Sequence, residues 1–276
     1  MAETGSGDDS DQWDPNSIQE AARTCNVRQM RRALAIAGVS PNIMRDGQPL
    51  IILLSSRLHP NQRLGTDPKA RLACLDLLRQ EPDFDVNLPD RAGDRAIHYL
   101  AGHAASRDDV EFMQAVVDAG ADVNATGQHS RTAMHWSSAH GGPIGATKVD
   151  LLIRAGASVT AIDVFGDTPL SLAISEAEGC LGRDLAAIRR VYPVLLAAGA
   201  ALPAEASDPY LQRVIEAGSF ANYARLHLDR LTAMLTPKPA PADGQRRSRR
   251  RLSPLRRVPP EVLRRIVAFA FHVGYY

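Results

Sequence analysis

Apolar residues along this chain recur at helical spacing, in short blocks separated by polar turns. In "DVEFMQAVVDAG" (109–120) Phe112, Ala115, Val116 and Ala119 share one helix face, and Gly120 is placed to end that helix in a left-handed conformation. In "DVFGDTPLSLAISEA" (163–177) Asp163 and Gly166 suit a tight turn, and the Thr168 hydroxyl can cap the helix that follows. Pro169 takes the first helical position, where its missing N–H costs nothing, and Leu170, Leu172, Ala173 and Ile174 form the packed side. Pro193 inside "LAAIRRVYPVLLAAG" predicts a kink or interruption. The stretch 208–235 has helical periodicity without a turn motif ahead of it and reads as an atypical last unit or a cap. The longest charge-free apolar run, "PLIILLSS", is too short to span a bilayer.

These blocks repeat. "AGVSPN" (37–42), "PDFDVN" (82–87), "AGADVN" (119–124) and "AGASVT" (155–160) end 45, 37 and 36 residues apart, and "AAGAAL" (197–202) is a weaker fifth copy. A second element, "QPLI" (48–51), "RAIH" (95–98), "TAMH" (132–135) and "TPLS" (168–171), follows each of the first four at a fixed phase. Two motifs in phase at a period of about 33 residues plus short insertions describe an array. A unit this small cannot cover its own apolar face, so it must stack on its neighbours as a solenoid.

The residues "AGADVNATGQHSRTAMHWSSAHGG" resemble the ankyrin repeat: its turn, then its Thr-Pro-Leu-His helix start. The resemblance covers roughly 17–236. It implies an all-α solenoid of five to six helix–turn–helix units, some irregular. "QPLI" departs from the helix-start signature, Arg95-Ala96 replaces Thr-Pro, and "RLHPNQRLGTDP" (57–68) is an insertion. "IHYLAGHAASRDDVEF" reads as a long insertion between the two helices of a unit, a feature similar to poxvirus ankyrin proteins. The resemblance also implies a protein-binding face at the turn tips. The candidate contacts there are Asp90, Arg91, Asp94, Gln128, His129, Arg131, Val164, Phe165 and Asp167, expected to be exposed.

The chain's end does not belong to this array. After the Pro- and Arg-rich stretch 237–257, expected to be a flexible linker, Pro259-Pro260 fits the start of a helix and Glu261 favours its positive end. Val262, Leu263, Ile266, Val267, Ala270 and Phe271 fall on one broad face of that helix, which at ~13 residues is marginal alone and needs a surface to lie on. "VPPEVLRRIVAF" resembles the opening of an F-box, shortened, as at the C-terminus of poxvirus ankyrin proteins. The resemblance implies that Val258, Pro259, Pro260, Glu261, Val262, Leu263, Ile266, Val267 and Phe269 bind the Skp-type adaptor of a cullin–RING ubiquitin ligase. It further implies that the repeats hold a host protein, in that family often an innate-immune signalling component. Two other readings of the tail stay open: a cap on the last repeat, leaving a scaffold that sequesters its partner, or a site for a different partner.

Charge is segregated. Residues 1–20 carry six acids and no base, residues 238–276 carry ten Lys or Arg against two acids, and the whole chain is at +1. The expected organisation is an acidic disordered arm (1–16), the repeats (17–236), the linker (237–257) and the short terminal helix (258–276). Arg246, Arg247, Arg249, Arg250 and Arg251 form a candidate nuclear-import run, with a solvated linker as the plainer reading. No aromatic residues are interleaved with them, so nucleic-acid binding is not expected. The cysteines, Cys25, Cys74 and Cys180, lack metal spacing and read as free thiols. His98/His103 and His135/His140 look like metal pairs, but a spacing of five is wrong for one helix face. His98 and His135 sit where the ankyrin motif uses a structural histidine. "GGPIGATK" (141–148) lacks the Gly-Lys-Ser/Thr order of a phosphate loop, and the carboxylates read as scattered over helix surfaces. The expectation is a soluble, non-enzymatic protein in the host cytoplasm, with a nuclear fraction, no cofactor, no metal and no membrane partner.

Overall fold

The computed structural model describes residues 15–36, 38–45, 47–56, 67–103, 106–140, 144–179 and 185–235. The acidic arm up to residue 14, most of the 57–68 insertion, Cys180, the Arg-rich linker and the terminal F-box-like segment lie outside the described residues.

Helices come in pairs: α1 (Pro15–Arg23) with α2 (Val27–Leu34), α3 (Leu50–Ser55) with α4 (Pro68–Arg79), and α5 (Ala96–His103) with α6 (Arg107–Asp118). Then follow α7 (Ala133–His140) with α8 (Gly145–Arg154), α9 (Pro169–Gly179) with α10 (Leu185–Arg189) and α11 (Val191–Ala197), and α12 (Pro209–Glu216) with α13 (Phe220–Leu235). The first helices stack in one row, α1 on α3, α3 on α5, α5 on α7 and α7 on α9. The second helices stack in another, α2 on α4, α4 on α6, α6 on α8 and α8 on α11. A single apolar cluster runs from Ile18 through Leu50, Leu78, Leu100, Phe112, Met134, Leu152, Leu170 and Leu195 to Val214. It is one core built by stacking, as a repeat that cannot bury its own face requires.

Local chemistry explains the ends of these helices. Asn26, Asp67 and Asp208 cap α2, α4 and α12 by accepting backbone N–H bonds, with Pro68 and Pro209 at the first helical positions. The Thr168 hydroxyl accepts from Ser171 N (3.2 Å) at the start of α9. At the C-termini of α6, α8 and α11, Gly120, Gly156 and Gly199 have φ of +94°, +87° and +97°. The amide after each glycine donates to a carbonyl five residues back, as in Ala157 N to Leu152 O (2.9 Å). Pro193 cannot donate to Arg189, and the second helix of its pair breaks at Arg190 into α10 and α11, as its presence predicts.

Three features differ from the sequence expectation. The link in "IHYLAGHAASRDDVEF" is short, because α5 runs to His103 and α6 begins at Arg107, so this stretch is no insertion. Its polar residues are helix-start chemistry: Ser106 and Asp109 form a reciprocal capping box. The departure "QPLI" is accommodated by a small antiparallel hairpin, β1 (Met44–Arg45) with β2 (Gln48–Pro49), ahead of α3. Finally, α1 begins at Pro15, inside the stretch assigned to the acidic arm.

Neighbouring units are joined by an asparagine ladder. Asn42 donates to Asp83 O and accepts from Asp85 N. Asn87 donates to Gly120 O and accepts from Asp122 N, and Asn124 donates to Gly156 O and accepts from Ser158 N. Thr160 occupies the next rung and is too short to reach across. Thr160→Asn is expected to bridge Gly199 O and Ala201 N, raising stability by about 1 kcal/mol and the melting temperature by roughly 2–4 °C. Differential scanning calorimetry of the variant against wild type checks this.

Candidate functional site

The turn tips project from the starts of the first helices and share one frame. The tips Asp90–Asp94 and Asp163–Asp167 are closed by Asp90 N to Asp94 O (2.8 Å) and Asp163 N to Asp167 O (3.0 Å). In each, the leading aspartate carboxylate accepts from two further amides of its own turn. The middle tip is chemically inverted: Gly127 stands where the others have the leading aspartate, and Arg131 where they have the closing one. There Gly127 N donates to Arg131 O (2.9 Å), while His129 and Ser130 take left-handed φ of +58° and +54°. A Cβ at Gly127 would run into the Asp94 carboxylate, so a larger residue there would have to push that side chain aside. Asp94 Oδ1 accepts from Gln128 N (3.0 Å), tying one tip to the next.

Behind the tips, two histidines brace the array. His98 Nδ1 accepts from Arg95 N (2.9 Å) while Nε2 reaches Ala125 O (2.9 Å). His135 repeats this with Thr132 N (3.2 Å) and Asp167 O (3.0 Å). Both imidazoles are held below the ordinary histidine pKa, chiefly because burial disfavours the charged ring. His103 and His140 are the last residues of α5 and α7, each against an aromatic ring one turn back, Tyr99 and Trp136. Among the described residues no group of three His, Cys, Asp or Glu side chains is placed to hold a metal ion.

The expectation that all nine tip candidates are exposed is corrected for four of them. Asp90 also accepts from the Tyr99 hydroxyl (2.6 Å), Asp94 is half-buried against Gln128, and Asp167 accepts from the Ser171 hydroxyl (2.9 Å). Arg131 is half-buried and pairs through Nε with Asp163 Oδ2 (3.0 Å). Burial pushes the Asp163 carboxyl up, but bonds from the Asp167 amide, Arg131 and the Phe165 amide outweigh it and hold the pKa below the usual range. Arg91, Gln128, His129, Val164 and Phe165 do point into solvent.

The last tip is the unusual one. Val164 and Phe165 are 60% and 66% exposed, and Ile162 beside them, which sequence reasoning missed, is 63% exposed. The Phe165 ring lies 5.4 Å from the His129 ring, and the Arg131 guanidinium is 5.7 Å from its centre. Val164 N donates to His129 O (3.0 Å), so the two tips are zipped edge to edge by backbone. Large apolar groups therefore stand in water on a turn closed by its own bonds and tied by one backbone bond to the preceding tip.

The structure also places charge where the sequence reading put none. Arg71, Asp109 and Lys148, one from each of α4, α6 and α8, are buried. Arg71 pairs with Asp109 (2.8 Å), and Lys148 donates to Ala101 O. The expectation that carboxylates lie on helix surfaces fails for Asp109, Asp163 and Asp208, all of which are buried. The Ser106-x-x-Asp109 spacing is that of a capping box, which marks a helix start and not the burial of its carboxylate. Cys25 and Cys74 are buried free thiols pushed up by burial, Cys74 to about 12.

No helix among the described residues is long and apolar enough to cross a membrane. A search against protein-family models finds no match. The chain is 33% identical over 102 residues to a curated protein of Rickettsia bellii (strain RML369-C) whose name is that of an ankyrin repeat protein. That stretch is 36% of this chain, which spans about half, 53%, of the relative's length. The similarity supports ankyrin-type repeats as the unit of this helical array.

Proposed function

We propose that the array is a protein-binding solenoid without catalysis of its own, and that its contact surface centres on Ile162, Val164 and Phe165. The observation that supports this most is their exposure on a tip held rigid by backbone bonds. Such a cluster has little backbone ordering left to lose on binding, and an aromatic anchor beside an arginine has the composition of an interface hot spot. Affinity capture from host-cell extract, with quantitative mass spectrometry, compares wild type with Val164→Ser/Phe165→Ala. Truncating a hot-spot pair is expected to reduce recovery of the specific partner by about 30-fold or more, with an unchanged melting temperature. Equal recovery would remove these residues from the contact.

The finer reading is that the bound protein is a host target, that the setting is viral, and that residues 258–276 bring a Skp-type adaptor of a cullin–RING ligase. It is supported by the F-box-like string "VPPEVLRRIVAF" and its place after a repeat array and a linker. The linker would then raise the concentration of ligase near the target. The adaptor is expected to be pulled down by the full chain and not by a truncation ending at Ala242. Recovery from both, or from neither, removes the ligase half and leaves a protein that binds and holds its partner.

A further inference from the structure

The first helix pair carries a feature that the tip surface does not use. On α2, Met30 and Ala33 turn inward, and α2 packs against α1 and α4. Arg28, Arg31 and Arg32 lie at i, i+3 and i+4, within about a third of a turn of one another and opposite that buried side. All three are exposed, as is Arg23 at the end of α1. Across residues 15–34 the sole carboxylate is Glu20. Among the described residues none of these four arginines has an ion pair or a side-chain hydrogen bond, whereas Arg79 and Arg154, on other second helices, pair with Asp76 and Asp150 on their own helices.

Directly ahead of α1, residues 1–14 carry Glu3, Asp8, Asp9, Asp11 and Asp14 and no base. We infer that the Arg28–Arg31–Arg32 face of α2 is a docking surface for an acidic peptide, and that its occupant is the chain's own segment 1–14. Three considerations favour this occupant. The charges are complementary: acids without bases before Pro15, and arginines without partners after it. Reach is ample, because 14 residues can span up to roughly 45 Å, whereas α2 lies beside α1, about one helix diameter away. Finally, a short tether holds the segment at about millimolar effective concentration. A face that takes the free peptide at roughly 0.1 mM is then about nine-tenths filled, which weakens a competing acidic partner about tenfold. Segment 1–14 and a competing acidic partner would share one face, and salt weakens both. This inference stands independently of the tip surface.

The test is a fluorescence-anisotropy titration of a fluorescein-labelled peptide copy of residues 1–14 against three full-length proteins at 50 mM and 300 mM salt. One is wild type, one has its arm neutralised (E3Q, D8N, D9N, D11N, D14N), and one adds R28E, R31E and R32E to the neutralised arm. The neutralised protein is expected to bind the peptide about tenfold more tightly than wild type at low salt, with most of that affinity lost at high salt. The added arginine reversals should remove binding while the circular dichroism spectrum is unchanged. If the reversals disturb the fold, R28Q, R31Q and R32Q replace them, with a graded loss expected. Equal binding by wild type and neutralised protein overturns the inference, as does no binding by either. It is also overturned if reversing Arg246, Arg247, Arg249, Arg250 and Arg251 removes binding instead, or if a single-stranded 14-mer DNA binds this face and the peptide does not.

Discussion

Asp109→Ala is expected to cost about 3–5 kcal/mol, the loss associated with uncovering a buried ion pair. Asp109 Oδ1 accepts from Arg71 (2.8 Å), and Oδ2 accepts from both Ser106 N (3.0 Å) and the Ser106 hydroxyl (2.8 Å). Arg71 in turn donates to Leu54 O (2.7 Å) and Ser55 O (3.1 Å), and its guanidinium covers the Phe112 ring at 4.0 Å. One carboxylate therefore starts α6, neutralises α4 and, through Arg71, holds the last carbonyls of α3. Removing it leaves the buried Arg71 guanidinium without its carboxylate and deletes one half of the capping box. Domains carry only about 5–15 kcal/mol in total, so a large fraction of stability goes with one side chain. Urea unfolding followed by circular dichroism checks the size. Arg71→Met/Asp109→Asn, which keeps the cap and removes the guanidinium together with its carboxylate, should lose less than Asp109→Ala alone.

Lys148→Met should act in the opposite direction. Lys148 is buried on α8 and bonded to Ala101 of α5, and burial lowers its pKa to about 8, with Asp109 pulling it back up. An unfolded lysine holds its proton up to about 10.4. Between those values the unfolded chain binds the extra proton, so Lys148 makes stability rise with pH from about 8 to 10.4. Below pH 8 both states are charged, and the whole cost of burying the ammonium, about 3 kcal/mol, falls on the native state. Methionine removes that cost and forfeits the bond to Ala101 O, worth about 1 kcal/mol, together with the ammonium's other contacts. The net expectation at pH 7 is a gain of about 1–3 kcal/mol that shrinks towards zero or below by pH 10. Reading the difference between variant and wild type at each pH cancels the thiols, which also titrate there. A gain independent of pH would show that Lys148 is not the titrating group.

What could be read from the sequence was local. Thr168, Pro169, Gly120 and Pro193 act on residues within a turn or two of themselves, and each does what its chemistry implies. The repeat phase gave the stacking, because every unit presents the same unmet apolar face. Legibility stopped where partners are set by stacking. Arg71 and Asp109 are 38 residues apart, and nothing in either neighbourhood names the other. The same holds for Arg131 with Asp163, which drew a tip residue expected to be free into the framework. The false insertion at 97–112 arose because "HAASRDD" has loop composition, while in three dimensions Ser106 and Asp109 are the two halves of a cap. Val164 and Phe165 are legible as exposed because they are the central residues of a turn tip. Ile162, just before the turn, had no such signal.

Hydrogen–deuterium exchange on the full chain, with and without the captured partner, tests the tip surface most directly. Partner addition is expected to slow exchange at the amides of 127–131 and 162–167, including the tip amides of Val164 and Phe165, while α6, α8 and α11 exchange as before. Slowing confined to those second helices, with both tips unchanged, would contradict the account.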